Sequence, residues 1–347
     1  MSIRQQRWKT VEYTKRQIND AGNVIRNEQA SAQEFADAMA IIDNWRAAHA
    51  YPLHVVYMHL RRMAGTRENA LVVERLKRLD SIIGKLSRES GMDLWRMHDL
   101  GGCRVVLPTV DDVYRFADSF MKSRIRHEYK RTYDYIATPK KSGYRSLHLV
   151  YQYHSDKTET YNKNMLIEIQ IRTHLQHIWA TALETMGLFT KQALKAGQGD
   201  KHIKRFFVLV SSLFALREGY PVVPDTLADE KELISEIEQI NDQHHVLETL
   251  NAIRIAIQHE DDVVRDKKGY YLLILNYNTH RLRIRSYSPS QFDEAETAYS
   301  QIEKNRHASG IDAVLVRAKS FKELKSAYPN YFSDIGEFYR LIIDYLK

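Results

Sequence analysis

Tyr133 to His148 reads YDYIATPKKSGYRSLH; it continues through LVYQYH and a polar turn into Met165 to Thr173, MLIEIQIRT. In the last segment Ile167, Ile169 and Ile171 alternate with Glu168, Gln170 and Arg172, the period of two that puts alternate side chains on opposite faces of a strand. An acid, an amide and a guanidinium therefore share one face. The preceding loop, Pro139-Lys140-Lys141-Ser142-Gly143-Tyr144-Arg145, joins turn formers to three cations and a tyrosine. That composition suits a phosphate-bearing ligand with an aromatic ring. The loop leads into a second strand, expected over Ser146 to Tyr153.

The chain has 347 residues, enough for two domains or one large domain with an appendage, and 44% hydrophobic content, so wholesale disorder is not expected. No apolar run approaches a membrane span, and MSIRQQRWKT lacks the apolar core of a signal peptide. A soluble, cytoplasmic protein without membrane association is expected. The single cysteine, Cys103, excludes an internal disulfide and a cysteine-based zinc finger. Net charge is +7, but residues 61–88 hold eight Lys or Arg against three acids, and residues 122–145 eight against two. The rest of the chain is acidic overall. Cations gathered in this way fit a polyphosphate or a nucleic-acid backbone.

Helices are expected from Val11 to Glu68, with Phe35, Met39, Ile42 and Trp45 at helical spacing, then Val55, Met58 and Met63 after Pro52. The spacing predicts a further helix from about Asn69 to Glu89, with Leu76, Leu79, Ile83 and Leu86 on one side. Arg75, Arg78, Ser81, Lys85 and Arg88 follow on a neighbouring face, a row able to hold a triphosphate. Met97 to Leu107 reads as a loop feeding an apolar strand. Its His98-Asp99 pair invites a metal-dependent phosphohydrolase reading, against which stands the lack of a companion histidine cluster upstream. Gly101 and Gly102 would let the backbone approach a ligand closely.

A covering helix is expected over residues 110–123, a basic strand towards Arg131, and helices at His174 to Lys191 and Lys201 to Glu218. Trp179, Leu183 and Met186 are core candidates; His174 and His177 are not read as ligands. Tyr220-Pro221-Val222-Val223-Pro224-Asp225 is a linker, and one long helix is expected from Asp229 to Gln258. Asp225 to Glu248 carries eight acids and one lysine. The remainder reads as ββαβα: strands Tyr270 to Tyr277 and Arg281 to Tyr287, helix Gln291 to Ala308, strand Ile311 to Ala318 and helix Phe321 to Lys347. Expected boundaries are 1–68, 69–219, 220–261 and 262–347.

D-Y-I-x-x-P-K-x-x-G-Y-x-S-L-H followed by E-I-Q-I-R-T resembles the synthetase domain of the RelA/SpoT family, which moves pyrophosphate from ATP to a ribose 3′-hydroxyl. The resemblance covers roughly residues 70–190. It implies an α/β fold, a mixed sheet wrapped by helices, here with a small C-terminal α+β module. It implies Asp99 and Glu168 as catalytic Mg²⁺ ligands, with Glu168 also orienting or deprotonating the acceptor hydroxyl. Arg75 and Arg104 would sandwich adenine, and Lys77, Ser81, Lys85 and Arg88 would meet ATP phosphates. Tyr144 would stack on the acceptor base, with Lys140, His148, Gln170 and Arg172 as further acceptor contacts.

The hydrolase half of the long family members is not found in these residues, so a built-in reverse reaction is not expected. Where alarmone-making members commonly place a cation, just before Asp134, this chain has Tyr133. The segments NWRAAHAYPL, WATALETMG and AYPNYF are similar to CapRel-type fused toxin–antitoxins, in which such a synthetase pyrophosphorylates the 3′ end of tRNA. There the C-terminal domain restrains the toxin until a phage protein is sensed. Tyr328 and Tyr331 would belong to that restraining module. Three functions stay open: a tRNA pyrophosphotransferase, a guanosine tetra- or pentaphosphate synthetase acting on GDP or GTP, and a non-catalytic phage-protein or RNA sensor.

Overall fold

A computed structural model describes residues 8–65, 70–157, 159–190, 199–256, 258–260, 269–276, 279, 281–304, 311–318, 320–327 and 335–347. Helices α1 (Lys15–Arg26), α2 (Ala32–Ala48) and α3 (Ala50–Ala64) precede strand β1 (Leu71–Leu76) and α4 (Leu79–Arg88). Next come β2 (Gly101–Leu107), α5 (Val110–Met121), β3 (Glu128–Asp134), β4 (Leu147–Gln152) and β5 (Leu166–Thr173). Four helices follow: α6 (His174–Phe189), α7 (Lys201–Glu218), α8 (Glu230–His244) and α9 (Val246–Ala256). The last part holds β6 (Gln258–Glu260), β7 (Gly269–Asn276), β8 (Arg281–Tyr287), α10 (Phe292–Lys304), β9 (Ile311–Ala318), α11 (Phe321–Ala327) and α12 (Gly336–Tyr345). The strands form a five-stranded sheet ordered β1-β2-β5-β4-β3 and a four-stranded sheet ordered β6-β8-β7-β9. The fold is the expected α/β class with an additional C-terminal sheet module.

The chain forms two compact units, Met1–Val105 with Phe116–Thr132 and His148–Gln170, and Val106–Arg115 with Tyr133–Leu147 and Ile171–Lys347. In the first, Thr14 and Ser31 cap α1 and α2 through reciprocal bonds with Gln17 and Glu34, satisfying backbone donors that a helix start leaves open. Ile18, Ile42, Trp45, Ile82, Leu86 and Leu100 belong to its core, where the Trp45 and Trp95 rings stack at 4.6 Å. One expectation fails here. Residues 71–76 are a strand, and the helix begins only at Leu79. Val72 and Val73 favour a pleated, buried setting, and both are buried; Arg78, extended at ψ 145°, is the helix boundary. Arg75 thus stands on β1, and Lys77 on the connection.

His49, at the junction of α2 and α3, is fully buried. Its Nδ1 lies 2.7 Å from the Trp45 carbonyl, so Nδ1 carries the proton there, while Nε2 has no partner. Burial pushes its pKa down from 6.5 to about 4. The unfolded chain therefore takes up this proton first, and stability falls as pH drops from about 6.5 to about 4. Over that window the loss is about 3 kcal/mol. Denaturant unfolding at pH 7 and pH 4 is expected to show this component in the wild type and not in His49→Gln; equal pH dependence would contradict it.

The core of the second unit includes Trp179, Leu183, Met186, Phe206, Phe207, Phe214, Leu233, Ile237, Leu250, Phe338 and Ile342. Phe338 of α12 stacks on Phe207 at 5.6 Å, so the last helix is core, not appendage. The long helix expected over 229–258 is broken at His245, whose φ of 50° is left-handed. Asn241 fixes the break, its Oδ1 accepting from the Leu247 N–H at 2.9 Å, so the apolar positions of α8 and α9 enter the core from two segments. Among the acids of this region, Glu236 is paired with Arg205 at 2.6 Å.

In the C-terminal sheet β7 runs antiparallel to both β8 and β9, and β6 pairs parallel with β8. The three-residue β6 begins at Gln258, the last residue of the expected helix, and is too short for a period to show. Tyr277, residues 305–308, and Tyr328 with Tyr331 lie outside the described residues.

Candidate active site

The site grows from the polar face of β5. Glu168 is only 5% exposed, so this face is not the solvated one that its alternation suggests. His148 on β4, the strand beside β5, sets Nδ1 3.0 Å from Glu168 Oε1. His98 Nε2 stands 3.5 Å from the same oxygen, and Gln170 Nε2 donates to Oε2 at 2.8 Å. Burial opposes ionisation of Glu168, but the two imidazoles outweigh it and hold the carboxyl well below the usual range. The result is a buried carboxylate, ionised and fixed in place.

Asp99, just before β2, is gripped by two ammonium groups. Lys77 Nζ donates to Oδ2 at 2.6 Å and Lys85 Nζ to Oδ1 at 3.3 Å. The Lys77 N–H also donates to the Leu100 carbonyl at 2.8 Å, which ties the end of β1 to the Asp99 loop. Burial again opposes ionisation; the two lysines outweigh it, and the Asp99 carboxyl titrates below its ordinary value despite the nearby Glu168 charge. Two ionised carboxylates close enough to feel each other form a donor set that fits Mg²⁺, which takes one or two carboxylates and completes its shell with water and phosphate oxygens. No cluster of three or more His, Cys, Asp or Glu able to hold a metal occurs among the described residues.

Arg75 and Arg104 lie on the adjacent strands β1 and β2. The buried Nε of Arg104 has no hydrogen-bond partner. Ser81, Lys85 and Arg88 are on α4. A Cβ at Gly101 would stand 2.8 Å from Ile167 Cδ1, so this glycine lets β2 pack closely on β5. Gly102 is more open, 3.8 Å from the Arg75 carbonyl.

The other expected acceptor residues, Lys140, Tyr144 and Arg172, belong to the second unit. Lys140 Nζ lies 5.6 Å from the Tyr144 ring centroid. Arg172 is 2% exposed, with Nη2 2.5 Å from His177 Nδ1. Its guanidinium is thus engaged within its own unit, and His177, which the sequence left without a partner, is its neighbour. His174 also has one, Glu337 at 2.8 Å. The residue that sequence reasoning missed is His98: the His98-Asp99 pair was weighed only against a phosphohydrolase metal motif and set aside, whereas the imidazole reaches Glu168.

Residues 74–191 match a family model described as a region found in RelA / SpoT proteins. GTP pyrophosphokinase YjbM of Bacillus subtilis (strain 168) is 38% identical over 112 residues, covering 32% of this chain and 52% of the relative. GTP pyrophosphokinase YwaC of the same organism is 33% identical over 113 residues, covering 31% and 52%. The chain spans about half the length of these curated relatives. Among solved structures, small alarmone synthetase 1 from Bacillus subtilis bound to its product pppGpp gives a TM-score of 0.43 at 25% identity, over 49% of this chain and 89% of that one. A GTP pyrophosphokinase family protein from Streptococcus pneumoniae gives 0.42 at 27% identity, over 49% and 86%. The residues that match this family model include Lys77, Asp99, His148 and Glu168.

Proposed function

We propose that this chain transfers the β,γ-pyrophosphate of ATP to the 3′-hydroxyl of tRNA. The observation that carries the reading is the pair of buried, ionised carboxylates, Glu168 held by two imidazoles and Asp99 by two ammonium groups. In the reaction the acceptor 3′-oxygen attacks the β-phosphorus, the bond from that phosphorus to the α,β-bridging oxygen breaks, and AMP leaves. The hydroxyl proton passes to Glu168. Lys77 and Lys85 exchange Asp99 for ATP phosphates, and Arg75 and Arg104 hold adenine. Mg²⁺, held by Asp99 and Glu168, would neutralise the triphosphate charge. Such chemistry asks the protein for alignment and charge neutralisation more than for covalent help.

Two sequence features favour a tRNA acceptor: eight cations against two acids in residues 122–145, and Tyr133 where the resemblance implies that alarmone-making members commonly place a cation. The second reading, synthesis of guanosine polyphosphates, is favoured by the names of the relatives, both GTP pyrophosphokinases.

The proposal includes restraint by the C-terminal module through Tyr328 and Tyr331, with a phage protein as the releasing trigger. Removing residues 262–347 would also strip Phe338 and Ile342 from the core, so a clean test keeps the full chain. AMP release from ATP with Mg²⁺ and deacylated tRNA is expected to be low in the wild type and several-fold higher in Tyr328→Ala/Tyr331→Ala. Release stimulated by GDP and not by tRNA, in either protein, would contradict the tRNA reading; equal tRNA-stimulated release in both would contradict restraint.

A further inference from the structure

Tyr133 is the last but one residue of β3, and Tyr135 is the first residue of the turn that follows it. Their rings are parallel within 8°, with centroids 5.8 Å apart. Tyr144 meets Tyr135 edge-on, at 6.1 Å and 69°. Lys140 Nζ lies 4.1 Å from the Tyr135 centroid and 5.6 Å from that of Tyr144, at the corner between the two ring directions. All three rings are half-buried and Lys140 is exposed.

The backbone holds this arrangement before any ligand arrives. The Tyr135 N–H donates to the Ser146 carbonyl at 3.0 Å, Lys140 to Tyr144 at 3.2 Å and Gly143 to Lys140 at 2.8 Å. Asp134 Oδ1 accepts from the N–H groups of Ile136 and Ala137 at 3.0 and 2.9 Å. Gly143, at φ 86°, makes the turn, and a Cβ there would stand 2.8 Å from Trp179 Cζ2.

We infer that Tyr133 and Tyr135 form a second base platform: the last nucleotide of the acceptor stacks on Tyr144, the one before it on the Tyr133/Tyr135 pair, and Lys140 meets the phosphate between them. This rests on the tRNA reading above and narrows it to a single-stranded 3′ end of at least two nucleotides. Ring planes 69° apart cannot both be met by bases stacked on each other; they suit two splayed bases, which an unpaired RNA end supplies and a mononucleotide does not. A ring at position 133 adds stacking surface where a cation would add only charge.

The test measures binding of a fluorescent CCA ribotrinucleotide and of GDP, each with Mg²⁺ and a saturating non-hydrolysable ATP analogue. Tyr133→Ala and Tyr135→Ala are each expected to weaken trinucleotide binding about tenfold relative to GDP, as loss of one base–aromatic stack would, and Tyr133→Phe to keep wild-type preference. Misfolding would lower both affinities together, so the ratio is the readout. An unchanged ratio overturns the platform, as does a wild type that binds GDP no more weakly than the trinucleotide. Label transfer by the wild type separates the two claims: transfer to tRNA with an unchanged ratio sinks the platform alone, and transfer to GDP only sinks the acceptor reading with it.

Discussion

Glu168→Gln is expected to lower turnover about 10³-fold, within the range for removing a general base, while the protein stays folded. The substitution keeps volume and one acceptor oxygen, so Ile167 and Ile169, both fully buried, hold β5 in place. What is lost is the negative charge that His148 and His98 maintain at the site and the oxygen that takes the acceptor proton. The loss should fall on kcat more than on ATP affinity, since ATP is assigned to Arg75, Lys77, Ser81, Lys85, Arg88 and Arg104. Single-turnover transfer kinetics beside a thermal melt provide the check. A folded variant with more than a tenth of wild-type turnover would remove Glu168 from the chemistry.

Arg145→Met is expected to cost about 3–5 kcal/mol of stability, the penalty for leaving a buried charge without its partner. Arg145 is 3% exposed, and its Nη1 pairs with Glu218 Oε2 at 2.7 Å. Glu218 in turn accepts from Thr173 Oγ1 and, at 3.2 Å, from Gln176 Nε2, so one carboxylate ties the loop after β3 to the start of α6 and the end of α7. Adding Glu218→Gln, which removes the stranded charge and keeps an acceptor, should recover part of the loss. Denaturant unfolding measures both. A single-variant cost under about 1 kcal/mol would show the pair to be dispensable, in the range of exposed pairs.

Arg145 also shows where sequence reading reached its limit. It sits in the basic loop beside Lys140 and Lys141, and composition alone counts three equivalent cations. The structure divides them: Lys140 lies over tyrosine rings, Lys141 makes an exposed pair with Asp225, and Arg145 is buried structure. The alternation of β5 and the apolar faces of α6 and α7 were legible because each repeats over eight or more residues. The start of α4 was not: the Arg75 and Leu76 spacing suits a helix, and only pairing of β1 beside β2 favours Val72 and Val73 as strand. Nor could spacing show that His98, 70 positions from Glu168 in sequence, faces the same oxygen as His148. The carboxylates were legible as types in a motif; what holds them ionised was not.

The central claim is tested most directly by incubating the protein with γ-labelled ATP, Mg²⁺ and deacylated tRNA, intact or with its terminal ribose diol oxidised by periodate. The account predicts label on intact tRNA, none on oxidised tRNA, and a yield that falls as salt screens the phosphate contacts. Label on GDP or GTP when these are offered, with none on intact tRNA, would contradict it.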